Sequence, residues 1–194
     1  MLRTWVVATL VALAGGVLSP LAGAPVPKDA GKSAVYFPTS VGARWVYEDE
    51  GGGEEGVEVS AVEKDGDTLV VSRKGVGGNN SRYTKTIVSP EGLRQDRPGG
   101  GDGDDVSVWV LKARLKAGES WKVADGGTRA VSGPEEVKVP AGTFQALKVV
   151  WQADGRTLTS WYAPGVGEVK RVIKRCGTET VTRSLKSFTA AKNE

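Results

Sequence analysis

The chain alternates. From about Arg44 to Phe188, short runs rich in Val, Ile, Thr, Trp and Tyr recur between clusters of Gly, Pro, Asn and Asp. The repeat is roughly 8–12 residues, the spacing of strands in sheets, sandwiches and barrels. Within many runs apolar and polar residues take turns, the period of a strand with one buried face. No window carries sustained helical periodicity with caps, and Lys112–Lys116 has room for one turn of helix at most. The pattern predicts an all-β fold. Its expected form is an antiparallel meander making a curved sheet or open (half) barrel, with little or no helix outside an N-terminal leader.

The richest stretch is Val137–Ile173. Pro140-Ala141-Gly142-Thr143 reads as a turn, because Pro has no N–H for a ladder and Gly weakens one. Phe144–Ala153 and Arg156–Ala163 read as strands joined by Asp154-Gly155. Two residues of this type suit a type I′ turn, in which both positions need φ > 0. That loop length sets the register: Ala153 faces Arg156, Trp151 faces Leu158, Val149 faces Ser160 and Leu147 faces Tyr162. These residues share a largely apolar sheet face that should meet the core. The opposite face carries Gln152 with Thr157, Val150 with Thr159 and Lys148 with Trp161, the lysine stem lying along the indole. A slip of one residue would exchange the two faces. Ala163-Pro164-Gly165-Val166 fits a type II turn, and Arg175-Cys176-Gly177 another turn after the strand Gly167–Lys174.

Elsewhere the strands are less sharply marked. Trp45 and Tyr47 share one face of a first strand, and Val57, Val59 and Ala61 point inward from a second. Thr68–Lys74, Arg82–Ser89 (Tyr83 and Ile87 on one face), Leu93–Asp96 and Val106–Lys112 follow. Ser132-Gly133-Pro134 separates Thr128–Val131 from Val137–Val139. Thr178–Phe188 is a long last strand. It has Thr178, Thr180, Thr182 and Ser184 on a wet face, and Val181 and Leu185 opposite, interrupted by Arg183.

The N-terminus changes the picture of where the protein works. Arg3, the apolar run Val6–Leu18 and Ala22-Gly23-Ala24 form the three parts of a secretory signal peptide over residues 1–24. The apolar run is short for a membrane span, so no stable span is expected after cleavage, and the expected location is secreted or periplasmic. Residues 25–35 read as a linker and 36–189 as a single all-β domain. The net charge is +3, with both signs interspersed and no basic run, which favours a solvated surface over nucleic-acid binding. Cys176 is the one cysteine, so no internal disulfide can form, and an inert structural thiol is the expected role.

Candidate chemistry is thin. The sequence has no histidine, which removes Ser-His and Cys-His dyads, His general bases and His metal sites. Asp102, Asp104 and Asp105 are weak metal candidates: carboxylates suit Ca²⁺, but the spacing is not that of a calcium loop, and a solvated loop is the plainer reading. Glu54-Glu55 and Glu135-Glu136 are adjacent pairs that read as exposed charge, because neighbouring strand residues point to opposite faces. Among the tryptophans outside the leader, Trp45, Trp109, Trp121 and Trp151 read mainly as core, and Trp161 as the exception on a mixed face. Gly31-Lys32-Ser33 lacks the first glycine and the preceding strand of a phosphate loop.

The segments Val139-Pro140-Ala141-Gly142-Thr143-Phe144 and Trp161-Tyr162-Ala163-Pro164-Gly165-Val166-Gly167 resemble the signature of a family of secreted bacterial envelope proteins of unknown function. Phe37–Tyr47 and Leu115–Trp121 are similar to the family's other landmarks. The resemblance implies a curved antiparallel sheet or open barrel, akin to half-barrels that carry lipoproteins or lipids across the periplasm. It carries no catalytic residues over to this chain.

The expected function is therefore a non-catalytic binding or cell-envelope component, with no cofactor and an unknown partner. An alternative is a carrier of an apolar, lipid-like ligand on the concave face, for which Trp151, Leu158, Tyr162 and Trp161 are the candidate binding residues. A second alternative is a carboxylate-dependent hydrolase.

Overall fold

The computed structural model describes residues 36–77, 84–97, 106–124 and 126–191. The expected signal peptide and linker, Tyr83 and the Asp102, Asp104 and Asp105 candidates lie outside these residues. Twelve strands follow in chain order: β1 (Arg44–Glu48), β2 (Glu54–Asp65), β3 (Thr68–Val76), β4 (Thr84–Ser89), β5 (Gly92–Arg97), β6 (Val106–Lys112), β7 (Ser120–Lys122), β8 (Thr128–Val139), β9 (Gly142–Ala153), β10 (Arg156–Ala163), β11 (Gly167–Arg175) and β12 (Thr178–Thr189). No helix occurs among the described residues.

All twelve belong to one antiparallel sheet, in the order β6-β5-β4-β3-β2-β1-β12-β11-β10-β9-β8-β7. Two meanders run outward from the middle, and the β1–β12 ladder joins them where the first and last strands meet. β6 and β7 are the free edges, so the sheet is open. It is also strongly curled. Val110 on β6 and Tyr162 on β10 line one cavity, yet they lie eight strand steps apart. At about 4.8 Å per step a flat sheet would hold them roughly 38 Å apart.

The turns explain the meander. Asp154 and Gly155 have φ of 49° and 69°, the double left-handed pair of a type I′ turn, and the β9–β10 register is the expected one: Ala153↔Arg156, Trp151↔Leu158, Val149↔Ser160 and Leu147↔Tyr162. Val166 N–H donates to Ala163 O at 3.2 Å, closing the Pro-Gly turn. Cys176, with φ of 49°, sits in the hairpin turn between Arg175 and Thr178 and is exposed, rather than being a packed structural thiol.

Bulges supply the curl, and they account for most departures from strict alternation. An extra residue in one strand bends it and exchanges its faces beyond that point. Between Val59 and Ala61 the β2–β3 register shifts. The inward position expected at Ala61 therefore passes to Val62, opposite buried Val71. A shift between Arg171 and Val172 on β11 pairs Arg171 with Arg183 but Val172 with Val181. Arg183 thus shares the inner face with Leu185, and Val181, expected there, turns outward. Ser132-Gly133-Pro134 does not break a strand: β8 runs through it with a bulge between Val131 and Gly133. Pro134 is tolerated because β7 pairs only with Thr128–Ala130, leaving the missing N–H on an open edge. Gly142 and Thr143 likewise belong to β9, paired with Val139 and Lys138. On β4 the inward side chain is Thr86, opposite Val71, so Ile87 faces out.

The core lies on the concave side. Trp45, Val59, Val71, Val108, Val131, Val149, Val169 and Leu185 are fully enclosed there. Phe37, in the segment before β1, lies across this face, stacked on Trp45 with ring centroids 5.9 Å apart. The β8–β9 hairpin tip folds onto the same region, and Ala141 N–H donates to Leu185 O at 2.9 Å.

Candidate functional site

The concave side holds a small cavity of about 30 Å³. Strand alternation and the bulges decide what faces it. Val71 and Arg73 alternate on β3, so the residue after a core valine on the same face is an arginine. Thr86 on β4, opposite Val71, and Gln95 on β5, opposite Thr86, lie on the same face as diagonal neighbours. Trp45 and Tyr47 come from β1, Tyr162 from β10, Glu168 and Arg171 from β11, and Phe37 closes one side.

Glu168 and Arg171 form the centre of the polar network. Residues three apart on a regular strand face opposite ways. Here the β10–β11 register shifts between Trp161 and Tyr162, pairing Tyr162 with Glu168 and Ser160 with Arg171. The bulge at Val169 brings both side chains to the inner face. Arg171 folds back on Glu168 as a two-pronged donor, Nε to Oε1 at 2.8 Å and Nη2 to Oε2 at 2.6 Å. Arg183 adds Nη1 to Glu168 Oε2 at 3.4 Å and turns its other edge to Glu55, with Nε to Oε2 at 3.0 Å and Nη2 to Oε1 at 2.8 Å. Its guanidinium also lies 5.2 Å from the centre of the Tyr47 ring.

Glu168 is the sole buried carboxylate among the described residues. Burial by itself would push its pKa up. The charges of Arg171 and Arg183, with hydrogen bonds from Arg171 and Ser160, outweigh that and hold it below the usual carboxylate value. Tyr47 and Tyr162 are pushed up, first by burial and then by the Glu168 charge. An acid held ionised, with both oxygens engaged, is a poor general acid or base. Phenols held neutral are poor nucleophiles. The arrangement suits the recognition of a polar group better than bond-breaking.

Arg73 is different. Its Nη2 donates to Thr86 Oγ1 at 3.1 Å, and its guanidinium sits 5.0 Å from the centre of the Phe37 ring. Its Nε–H is buried without an acceptor. Burial pushes its pKa down, although the Tyr47 and Glu168 charges act the other way.

Of the four residues expected to bind a ligand, Tyr162 lines this cavity and the other three do not. Trp151 and Leu158 face each other on the same sheet side, but Gly127 lies against the Trp151 indole so closely that a Cβ there would be 2.1 Å from Nε1. Trp161 is on the opposite side of β10, between Lys148 and Lys170, each 5.6 Å from its ring centre, and donates Nε1–H to Glu135 Oε1 at 2.7 Å. Phe37, Arg73, Thr86, Glu168, Arg171 and Arg183 were not read from the sequence as site residues. The available signals were charged positions on apolar faces: Arg73 two residues after Val71, and Arg183 two before Leu185.

A second hollow of about 140 Å³ lies beyond Tyr47 and Arg183, rimmed by Glu48, Asp49, Glu54 and Glu55. Its acids are engaged in part: Glu55 pairs with Arg183 and Glu54 with Lys186. No group of three or more metal-ligating side chains occurs among the described residues.

The architecture has solved counterparts. A candidate lipoprotein of Parabacteroides distasonis matches with a TM-score of 0.51 at 17% identity, over 79% of this chain and 98% of that one. A candidate exported protein of Bacteroides fragilis with a YmcC-like fold matches with a TM-score of 0.52 at 15% identity, over the same shares of 79% and 98%. At this identity the likeness is one of fold. No family model and no curated protein matches the chain.

Proposed function

We propose that the protein is an exported, non-catalytic binding domain of the bacterial cell envelope, secreted or periplasmic after removal of residues 1–24, and that its ligand site is the concave cavity beside Phe37. The observation that carries this reading is the state of Glu168. The one buried acid among the described residues is fixed as an ion by Arg171 and Arg183, which disfavours carboxylate-dependent hydrolysis and leaves a preorganised polar recess. The fold shared with a candidate exported protein and a candidate lipoprotein supports the location.

A second reading keeps the apolar-ligand carrier. Phe37, Trp45 and Tyr162 give the cavity aromatic walls. At about 30 Å³ it has no room for a hydrocarbon chain, so a carrier would have to displace Phe37 and its neighbours.

The test is export of the full chain in a bacterial host, followed by native mass spectrometry of the envelope-fraction protein. A small-molecule adduct is expected on the wild type and not on Val110→Phe, which fills the cavity. Recovery of the protein with its leader uncleaved in the cytoplasm, or adduct-free wild type, would defeat the proposal.

A further inference from the structure

We propose that the concave cavity receives an oxyanion, a carboxylate or phosphate group, on the guanidinium of Arg73, whose Nε–H has no acceptor. This deepens the binding reading above and rests on it. It adds the charge and shape of the group that is bound.

Two guanidiniums, Arg73 and Arg171, and one carboxylate, Glu168, line the cavity. Arg171 is committed to Glu168 by two hydrogen bonds. Arg183, behind them, is shared between Glu168 and Glu55. That leaves Arg73 as the excess cation. No carboxylate of a described residue pairs with it; its side-chain contacts are the Thr86 hydroxyl and the face of Phe37.

An arginine stays protonated at any pH a protein meets. Arg73 is half-buried, and a cation partly withdrawn from water without a counter-ion carries a cost that is relieved when an anion arrives. Arg73 also keeps Nε–H buried and without an acceptor. A guanidinium that keeps a donor to spare can engage the oxygens of a carboxylate or phosphate with a charge-assisted bond. Size sets the rest. The cavity of about 30 Å³ holds a single polar group, so whatever that group is attached to must extend past Phe37. The shared chemistry is the oxyanion; its source is either a free small anion or the headgroup of an amphiphile.

The experiment uses the full mature chain, titration calorimetry and thermal melting, with inorganic phosphate, dodecanoate and dodecanol as probes. Wild type is expected to bind at least one of the two anions, more weakly as salt is raised. Arg73→Met should weaken that binding by about tenfold or more, while the ligand-free variant melts no lower than wild type, because an apolar chain replaces an uncompensated charge. Arg73→Lys, which keeps the charge but loses the fork, should recover part of the binding. If Arg73 is only a structural strut, the Met variant melts lower and the anion response, if any, survives.

Equal affinity for phosphate and dodecanoate assigns a free anion; dodecanoate binding more than tenfold tighter assigns a headgroup. Dodecanol binding as tightly as dodecanoate, or anion binding unchanged in Arg73→Met, overturns the oxyanion proposal and leaves the concave-face reading standing. No binding of any probe together with adduct-free protein from the envelope removes both.

Discussion

The Tyr47 hydroxyl donates to the main-chain carbonyl of Glu168 at 2.9 Å. Tyr47 is on β1 and Glu168 on β11, and β12 lies between them in the sheet. Two residues earlier along the chain in each case, Trp45 Nε1–H donates to the carbonyl of Val166, in the turn just before β11, at 2.7 Å. Two aromatic side chains therefore reach over the middle strand and tie its neighbours together on the concave side. These bonds hold the curl at the junction of the two meanders, where the cavity forms. Tyr47→Phe keeps the ring and removes the donor, leaving a buried carbonyl short of one partner. It should cost about 1–2 kcal/mol, read as a lower urea midpoint with an unchanged slope. A midpoint equal to wild type would show that the clamp does not hold the curl.

Glu168 links the cavity to acid stability. Its folded pKa lies below the ordinary carboxylate value of 4.5. The stabilisation it confers is thus complete above that value, and is lost as pH falls from there through the depressed pKa. Glu168→Gln strands Arg171 and leaves Arg183 with Glu55 alone. The loss near neutral pH should sit at the low end of the range for broken buried pairs, about 3 kcal/mol, because the Arg171 and Arg183 side chains keep 26% and 22% exposure. Urea unfolding of both proteins from neutral pH into acid should show the gap narrowing below pH 4.5. A gap independent of pH would mean that the carboxylate contributes nothing as an ion.

The tyrosines give the opposite limb. Tyr47 and Tyr162 are both raised above the ordinary phenol value of 10.0, first by burial. Stability from keeping them neutral is full below pH 10 and declines as pH rises through their folded values. Ultraviolet titration of the folded protein should therefore show these two phenols ionising only with unfolding, and Tyr47→Phe should remove one of the late transitions. Ionisation of every tyrosine near pH 10 with the fold intact would contradict their enclosure.

The β9–β10 hairpin tests how turn chemistry fixes register. Gly155 has φ of 69°, a region that β-branched side chains enter only under strain. Gly155→Val should cost about 1–3 kcal/mol without changing the fold type seen by circular dichroism. An unaltered melting temperature would place the turn's specificity elsewhere.

What could be read in advance, and what could not, follows from the range of the physics. The Asp154-Gly155 turn and the pairing Trp151↔Leu158 depend on neighbours a few residues apart, and the sequence specified both. The position of Lys148 against Trp161 followed from the same register. The joining of β1 to β12 and the curl depend on strands more than a hundred residues apart, and no local pattern announces them. The site was obscured for a related reason. It is built by bulges at Val169 and Thr182, each of which overrides the period-2 rule that makes inward residues legible. Arg183 read as an interruption of an apolar face, whereas the bulge makes it a member of the inner network. Arg73 kept its alternation with Val71, yet an arginine in that place gives no sign of its own that no described carboxylate pairs with it. The aromatic candidates part company in the fold: Tyr162 lines the cavity, Trp151 lies against Gly127, and the alternation of β10 sends Trp161 outward.

Phe37 is the residue on which the cavity's enclosure turns. It stacks on Trp45 and carries the Arg73 guanidinium on its face, so it closes the recess and shields its charge at once. Phe37→Ala removes both contacts. The segment before β1 can collapse only partly into the space, so the cost should be about 3 kcal/mol. Trp45, which is only 2% exposed, gains water on one side. Its emission should move to longer wavelength, and a neutral quencher should reach an additional indole. Arg73, released from the aromatic face, meets solvent, so an anion that binds the wild type should bind the variant more weakly, even though the opening is wider. Tighter anion binding by Phe37→Ala would show that Phe37 acts as an obstacle over Arg73 and not as part of its setting.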